Sequence, residues 1–247
     1  MTPRSLNSSS ALLACLLGCA SSGAVGETPK ATPSADRACV RALDQEKAAR
    51  KPSVRDRSTL EDQVWRACSE PGVNRDLVAR AALLKRFRPD KDASRLRAEL
   101  LDLETEFATR PPSNVRIQLL EALAGLEEET GNADAGLEYL RRGQAMRATL
   151  YGASSPEAAV GSLNVANALI ASGRAAEGRE LAMGALQSVR LAQGPSAPST
   201  LALQMRCAYA LRRAGLEKEA ADLIADHDKR SEGLLANQLR WVDRADE

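Results

Sequence analysis

Few side chains in this sequence are able to do chemistry. There is one histidine, His227, and five cysteines, Cys15, Cys19, Cys39, Cys68 and Cys207. A metal centre needs several imidazole or thiolate ligands at short, fixed spacing. No such cluster occurs, nor an HExxH pair, a Gly-rich phosphate loop or a GxSxG elbow. The acidic run Glu127-Glu128-Glu129 splays around a helix, because adjacent positions do not face one another; its carboxylates do not converge on one bond as a general acid and base must. His227, beside Asp228 near the predicted end of a helix, reads as a surface residue at the negative end of the helix dipole. No catalytic residue, metal, cofactor or small-molecule substrate is expected.

The cysteines speak instead to address. Residues 1–18 are a polar opening with a single cation, Arg4, followed by a short apolar run from Ala11 to Gly18. That pattern is a secretory signal, too short to span a bilayer. The run closes as Leu16-Leu17-Gly18-Cys19, which resembles the bacterial lipobox. Leu12-Leu13-Ala14-Cys15 offers a competing match but would leave a very short apolar region. The resemblance implies that Cys19 carries a diacylglyceryl thioether and becomes the acylated N-terminus, stably anchored once two or three chains are attached. It places the protein in a bacterial cell envelope, facing the periplasm, with the outer membrane favoured over the inner. An ordinary signal peptide, cleaved nearby to release a soluble periplasmic protein, is the alternative. Residues 19–36 read as a flexible Ser/Gly/Pro/Thr-rich tether with an end-to-end distance of roughly 20–25 Å. In an oxidising periplasm Cys39 and Cys68, on neighbouring predicted helices, are a candidate disulfide. Cys207 reads as a buried small filler.

Composition narrows the fold. Of 247 residues, 44% are hydrophobic but only 3% aromatic, so the core is built of Leu, Ala and Val; this suits small-residue helix packing and argues against a β-sandwich or barrel. Formal net charge is +1, which gives no polyelectrolyte reason to hold nucleic acid. The charge is uneven along the chain, net basic over residues 37–100 and net acidic over 101–150.

Internal similarity is the strongest signal. Gly131, Gly173 and Gly215 recur at a step of 42 residues, as do Ala124, Ala166 and Ala208; Gly136, Gly178 and Ala220; and Tyr139, Leu181 and Leu223. The backward step reaches Ala82 and puts Pro89 at the turn position, suggesting a degenerate unit from about Asn74. Each unit reads as two helices. In the middle one Ser155 is an N-cap, Pro156 the first helical residue and Glu157 a first-turn acid. Gly173 closes the first helix, Arg174 to about Ala192 forms the second, and Gly194-Pro195 ends it. Small residues at Ala166, Gly178 and Ala185 mark the helix crossing, with Leu163, Val165, Leu169, Ile170, Leu181 and Leu186 filling the space between units.

Residues 151–186, YGASSPEAAVGSLNVANALIASGRAAEGRELAMGAL, resemble tetratricopeptide (TPR) repeats of the 42-residue kind found in kinesin light chain. The match covers about residues 115–227. HEAT-like pairs are the rival, and the small residues around the turn glycine favour the TPR order. Departures include Val165, Gly178, Glu127 in an apolar place and His227 in a small one. The resemblance implies an all-α fold, an α-solenoid of stacked antiparallel helix pairs following a disordered N-terminal signal and linker. Its parts are an N-terminal helical cap over 37–73, containing Val40, Leu43, Val64 and Trp65; an array over 74–230, with units near 74–114, 115–155, 156–197 and 198–230; and a C-terminal capping helix over 231–247. Leu234, Leu235, Leu239, Trp241 and Val242 of that helix are expected to cover the last unit, because a repeat array leaves an apolar face at each end.

The same resemblance implies a concave groove lined by the first helices and holding a peptide or partner helix. Its groove-facing positions are Glu121, Gly125 and Glu128; then Leu163, Asn164, Asn167 and Ile170; then Met205, Arg206, Tyr209 and Arg212. Asn164 falls in the family's Leu-Asn motif, where an amide can grip a peptide backbone as donor and acceptor. The gradient from Glu through Asn to Arg would orient a partner of opposite polarity. The expected partners are another envelope protein or peptide in the groove and the membrane through the N-terminal lipid, in a non-catalytic adaptor. A lipid-anchored regulatory accessory to a periplasmic enzyme or signalling system is the alternative.

Overall fold

A computed structural model describes residues 33–49, 54–84 and 92–245. The signal segment, Cys15, Cys19 and Pro89 lie outside the described residues. Every element is a helix: α1 (Pro33–Ala48), α2 (Val54–Cys68), α3 (Arg75–Leu84), α4 (Ala93–Ala108), α5 (Asn114–Glu129), α6 (Ala133–Tyr151), α7 (Pro156–Ala171), α8 (Ala175–Gln193), α9 (Pro198–Arg213) and α10 (Glu217–Ala245). Consecutive helices pack as pairs, and each pair packs on the next, giving an all-α solenoid.

Local chemistry sets the boundaries. Ser155 caps α7 by accepting a hydrogen bond from the Ala158 N–H, and Pro156 occupies the first turn; Ser113 and Asp92 cap α5 and α4 in the same way. The three glycines at the 42-residue step have φ of +83°, +83° and +76°. Each closes a first helix with two crossed backbone bonds. Asn132 N–H reaches Glu127 C=O (2.8 Å) and Gly131 N–H reaches Glu128 C=O; Arg174 and Gly173, then Leu216 and Gly215, repeat the pattern. This is the Schellman closure, which needs a residue in the left-handed region and therefore favours glycine.

The second helices of the two central pairs end at Gly152 and Gly194, with φ of +90° and +91°. The next step along the repeat falls on Ala236, and no proline stands shortly after it. Without either stop signal α10 continues, so the expected separate capping helix over 231–247 is the end of α10 itself. The side chains named above as its apolar cover lie outside the described residues. His227 is correspondingly inside α10 rather than at a helix end. At the other terminus Pro33 begins α1, taking the last four residues expected in the tether, because proline is preorganised for a first helical turn. Asp36 then accepts a hydrogen bond from the Asn74 N–H at 2.7 Å. A disulfide joins Cys39 to Cys68, with 4.7 Å between their Cα atoms, and ties α1 to α2.

The apolar interior is divided. One core joins α3 to α6 through Ala79, Leu100, Phe107, Leu119 and Leu123. A second joins α7 to α10 through Leu163, Ala182, Leu186, Leu203, Cys207 and Leu211. Between them, at the junction of α6 and α7, only a small patch of Leu137, Val165 and Leu169 is fully buried. The cause lies in three equivalent positions of successive first helices, Leu119, Gly161 and Leu203. A Cβ on Gly161 would stand 3.1 Å from the Gln144 Cα, so glycine lets α7 settle close on α6. Helix α9 packs on both α7 and α8, whereas α7 packs on α6 and scarcely approaches α5.

Candidate interaction groove

Where α5 and α7 stand apart, a cleft of about 410 Å³ opens. Its floor and walls are Ala124, Gly125, Gly136, Leu137, Leu140 and Ala168, and its rim carries Glu121, Glu128, Ala133, Asn164, Ala171 and Ser172. Small residues on α5 and α6 recess the floor, because an alanine or glycine leaves the space a larger side chain would fill.

Polar bonds cross the seam where apolar packing is thin. Glu121 Oε1 accepts from Arg147 Nη2 at 2.7 Å and from Asn164 Nδ2 at 2.8 Å, tying α5 to α6 and α7. Gln144 Nε2 donates to Ser162 Oγ at 2.8 Å, tying α6 to α7. Charge-assisted bonds of this kind are stronger than neutral ones, yet they leave the cleft open, since each needs only two side-chain tips to meet.

The structure brings Glu121, Gly125, Glu128 and Asn164 to this one cleft. Asn167 lies farther along α7, and its Oδ1 is buried without a hydrogen-bond partner. On α9, Met205 and Tyr209 are 38% and 66% exposed, and Arg206 and Arg212 are exposed beside them. Leu163 and Ile170, expected to face the groove, do not. Leu163 is buried in the α7–α10 core, and Ile170 is buried over the site of Gly178, where an added Cβ would stand 2.6 Å from its Cγ1. On α7 these two side chains lie inside, while Asn164 and Asn167 are half-buried.

Two carboxylates are buried and paired. Glu127 is 1% exposed, accepting from Arg97 Nε on α4 and from Asn132 Nδ2. Glu104 is buried between Arg116 and Arg142. A buried carboxylate demands such partners, so both act as ties between helices. The signal for Glu127 was present in its departure from an apolar repeat position; Glu104 lies before the clear repeats and had none. Near the C-terminal end, Gln204 is fully buried, donating to the Leu223 C=O at 2.7 Å and to Asp226, and accepting from Arg190. Arg230 donates to both Asp226 oxygens at 2.9 Å and holds that carboxyl below the usual carboxylate range, with Gln204 adding to the effect against the opposing cost of burial. Burial pushes the Cys207 thiol up to about 12, so it is protonated and unreactive at neutral pH. Among the described residues no group of three His, Cys, Asp or Glu side chains could hold a metal ion, and no helix is long and apolar enough to cross a membrane.

No protein-family model matches the sequence, and no curated protein is similar to it at a significant level. The fold does have close likenesses among solved structures. A variant of the nearly identical TPR-like repeats of a kinesin light chain from Podosopora anserina superposes with a TM-score of 0.62 at 18% identity, over 83% of this chain and 99% of that one. BtubC (BKLC) from P. vanneervenii gives 0.54 at 14% identity, over 81% and 89%. PlcR from Bacillus thuringiensis, solved with the peptide PapR7 and DNA, gives 0.54 at 14% identity, over 85% and 73%. The chain has the fold of a TPR-like repeat protein.

Proposed function

We propose that this chain is a non-catalytic scaffold that holds an extended segment of another protein in its concave groove. The observation that carries this reading is the set of polar groups presented between first helices. Asn164 spans the cleft to Glu121, while the Asn167 Oδ1 is a buried acceptor with no donor of its own. With its amide N–H on Glu121, Asn164 keeps its Oδ1 as an acceptor at the cleft, and the N–H of a peptide laid along the groove would donate to it. Met205 and Tyr209 add an exposed apolar and aromatic surface on α9, of the kind that anchors protein contacts. A neighbour solved with a bound peptide is consistent with such an occupant, and near-neutral charge argues against nucleic acid.

The same reading places the scaffold in a bacterial envelope, anchored through lipid on Cys19 and working on another envelope protein. What supports this is the sequence pattern ending at Leu16-Leu17-Gly18-Cys19, together with a disulfide between Cys39 and Cys68, which suits an oxidising compartment. Crosslinking in native envelopes followed by mass spectrometry tests the scaffold. A partner is expected whose yield falls at least about tenfold in Asn164→Ala plus Asn167→Ala, the loss of roughly 1.4 kcal/mol or more; an unchanged yield overturns the groove assignment. Fractionation of Cys19→Ala tests the anchor, with the protein expected in the soluble fraction; a variant that stays with membranes overturns it.

A further inference from the structure

We propose that the cleft between α5, α6 and α7 receives a lysine or arginine side chain of the bound segment. This deepens the groove reading and rests on it. The cleft combines an apolar wall of Leu137, Leu140 and Ala168 with a mouth of oxygen acceptors, the pairing that suits a long aliphatic stem ending in a cation. Its residues include no Lys or Arg.

The Glu128 carboxylate is exposed at the rim and has no ion-pair partner among the described residues. Glu121 spends only one oxygen, on Arg147 and Asn164, and Asn164 spends only its amide N–H on Glu121. Among the described residues the remaining oxygens of these three side chains accept no hydrogen bond, and a guanidinium or ammonium supplies donors alone. Arg147 is committed to Glu121, and Arg174, just beyond α7, is committed to Glu177. An acidic side chain would meet the unpaired Glu128 carboxylate. A purely apolar one would leave the acceptors at the mouth covered and unpaired.

The test uses the full chain purified in detergent and random heptapeptide pools whose central residue is fixed in turn as Lys, Arg, Glu, Leu or Phe. Pools centred on Lys or Arg should be retained at least about fivefold over the Glu pool, the selectivity expected of complementary charge at a partly desolvated rim. Glu128→Gln should reduce that ratio below about twofold and Glu128→Arg should invert it, with unchanged circular dichroism, since the residue is exposed. Tyr209→Ala should lower retention of every pool while leaving the ratio in place. Retention without a basic preference, or a preference that survives Glu128→Gln, overturns the assignment of the cleft and leaves the groove standing. Retention of no pool overturns both.

Discussion

The two junctions between the central helix pairs differ in how much apolar packing they carry. Where α9 meets α7 and α8, Leu186 and Leu203 belong to one continuous apolar core. Where α7 meets α6, the equivalent places hold Gln144 and Gly161, and hydrogen bonds from Gln144 to Ser162 and from Asn164 to Glu121 replace the leucines. Apolar packing is non-directional and closes whatever gap it can reach, and at the later junction α9 packs on both α7 and α8. Hydrogen bonds act only at their tips, so the earlier one is held together and still leaves a cleft. Equivalent repeat positions thus hold leucines at the later junction and a glutamine and a glycine beside the cleft at the earlier one.

Making the earlier junction resemble the later one should have the largest effect. Gly161→Leu places a side chain where even a Cβ would stand 3.1 Å from the Gln144 Cα and 3.0 Å from the Arg147 Cδ. Overpacking of this kind costs about 1–3 kcal/mol, here at the upper end because one contact is backbone. Urea unfolding should show the loss, and the peptide pools described above should lose their basic preference as α7 is displaced. A smaller, paired effect compares Ser162→Ala with Gln204→Ala, one repeat step apart. Removing Gln204, fully buried and bonded to Leu223, Asp226 and Arg190, should cost about 2–3 kcal/mol because the buried Leu223 C=O loses its side-chain donor. Removing Ser162 should cost about 1 kcal/mol, since Gln144 can turn to water. Equal losses would dissolve the contrast between the junctions.

The smallest effect is one of pH. Asp226 has its carboxyl held low chiefly by Arg230, so its contribution is fully present above the unfolded carboxyl's pKa of about 3.9. It is lost as pH falls through the lower folded value. The urea midpoint of the wild-type chain should fall between pH 5 and pH 3 more than that of Asp226→Asn, which lacks this proton linkage; parallel curves would count against it.

What was legible in the sequence was whatever a short stretch of backbone decides for itself. Gly131, Gly173 and Gly215 sit where only a positive φ closes the helix, and Ser155-Pro156 starts α7 by its own hydrogen bond and ring geometry; each works whatever packs around it. Positions whose meaning depends on a second helix were not legible in the same way. A 42-residue step transfers Leu163 and Ile170 to the groove, but both side chains lie inside, and Gly161 shows its role only beside Gln144. The run-on of α10 stands between these cases, since the missing glycine at Ala236 is visible in the repeat once the earlier stops at Gly152 and Gly194 are compared with it.

The cross-link between α1 and α2 has a mechanical consequence. The first helix meets the remainder of the molecule through a modest apolar cluster and the Asp36–Asn74 bond, contacts that could be peeled away one at a time. Because Cys39 and Cys68 are covalently joined, a pull on the N-terminal end passes to the last residue of α2 instead of stripping α1 from its neighbours. The chain between those two cysteines is bypassed, and the load arrives at the start of the array with its first pair still folded.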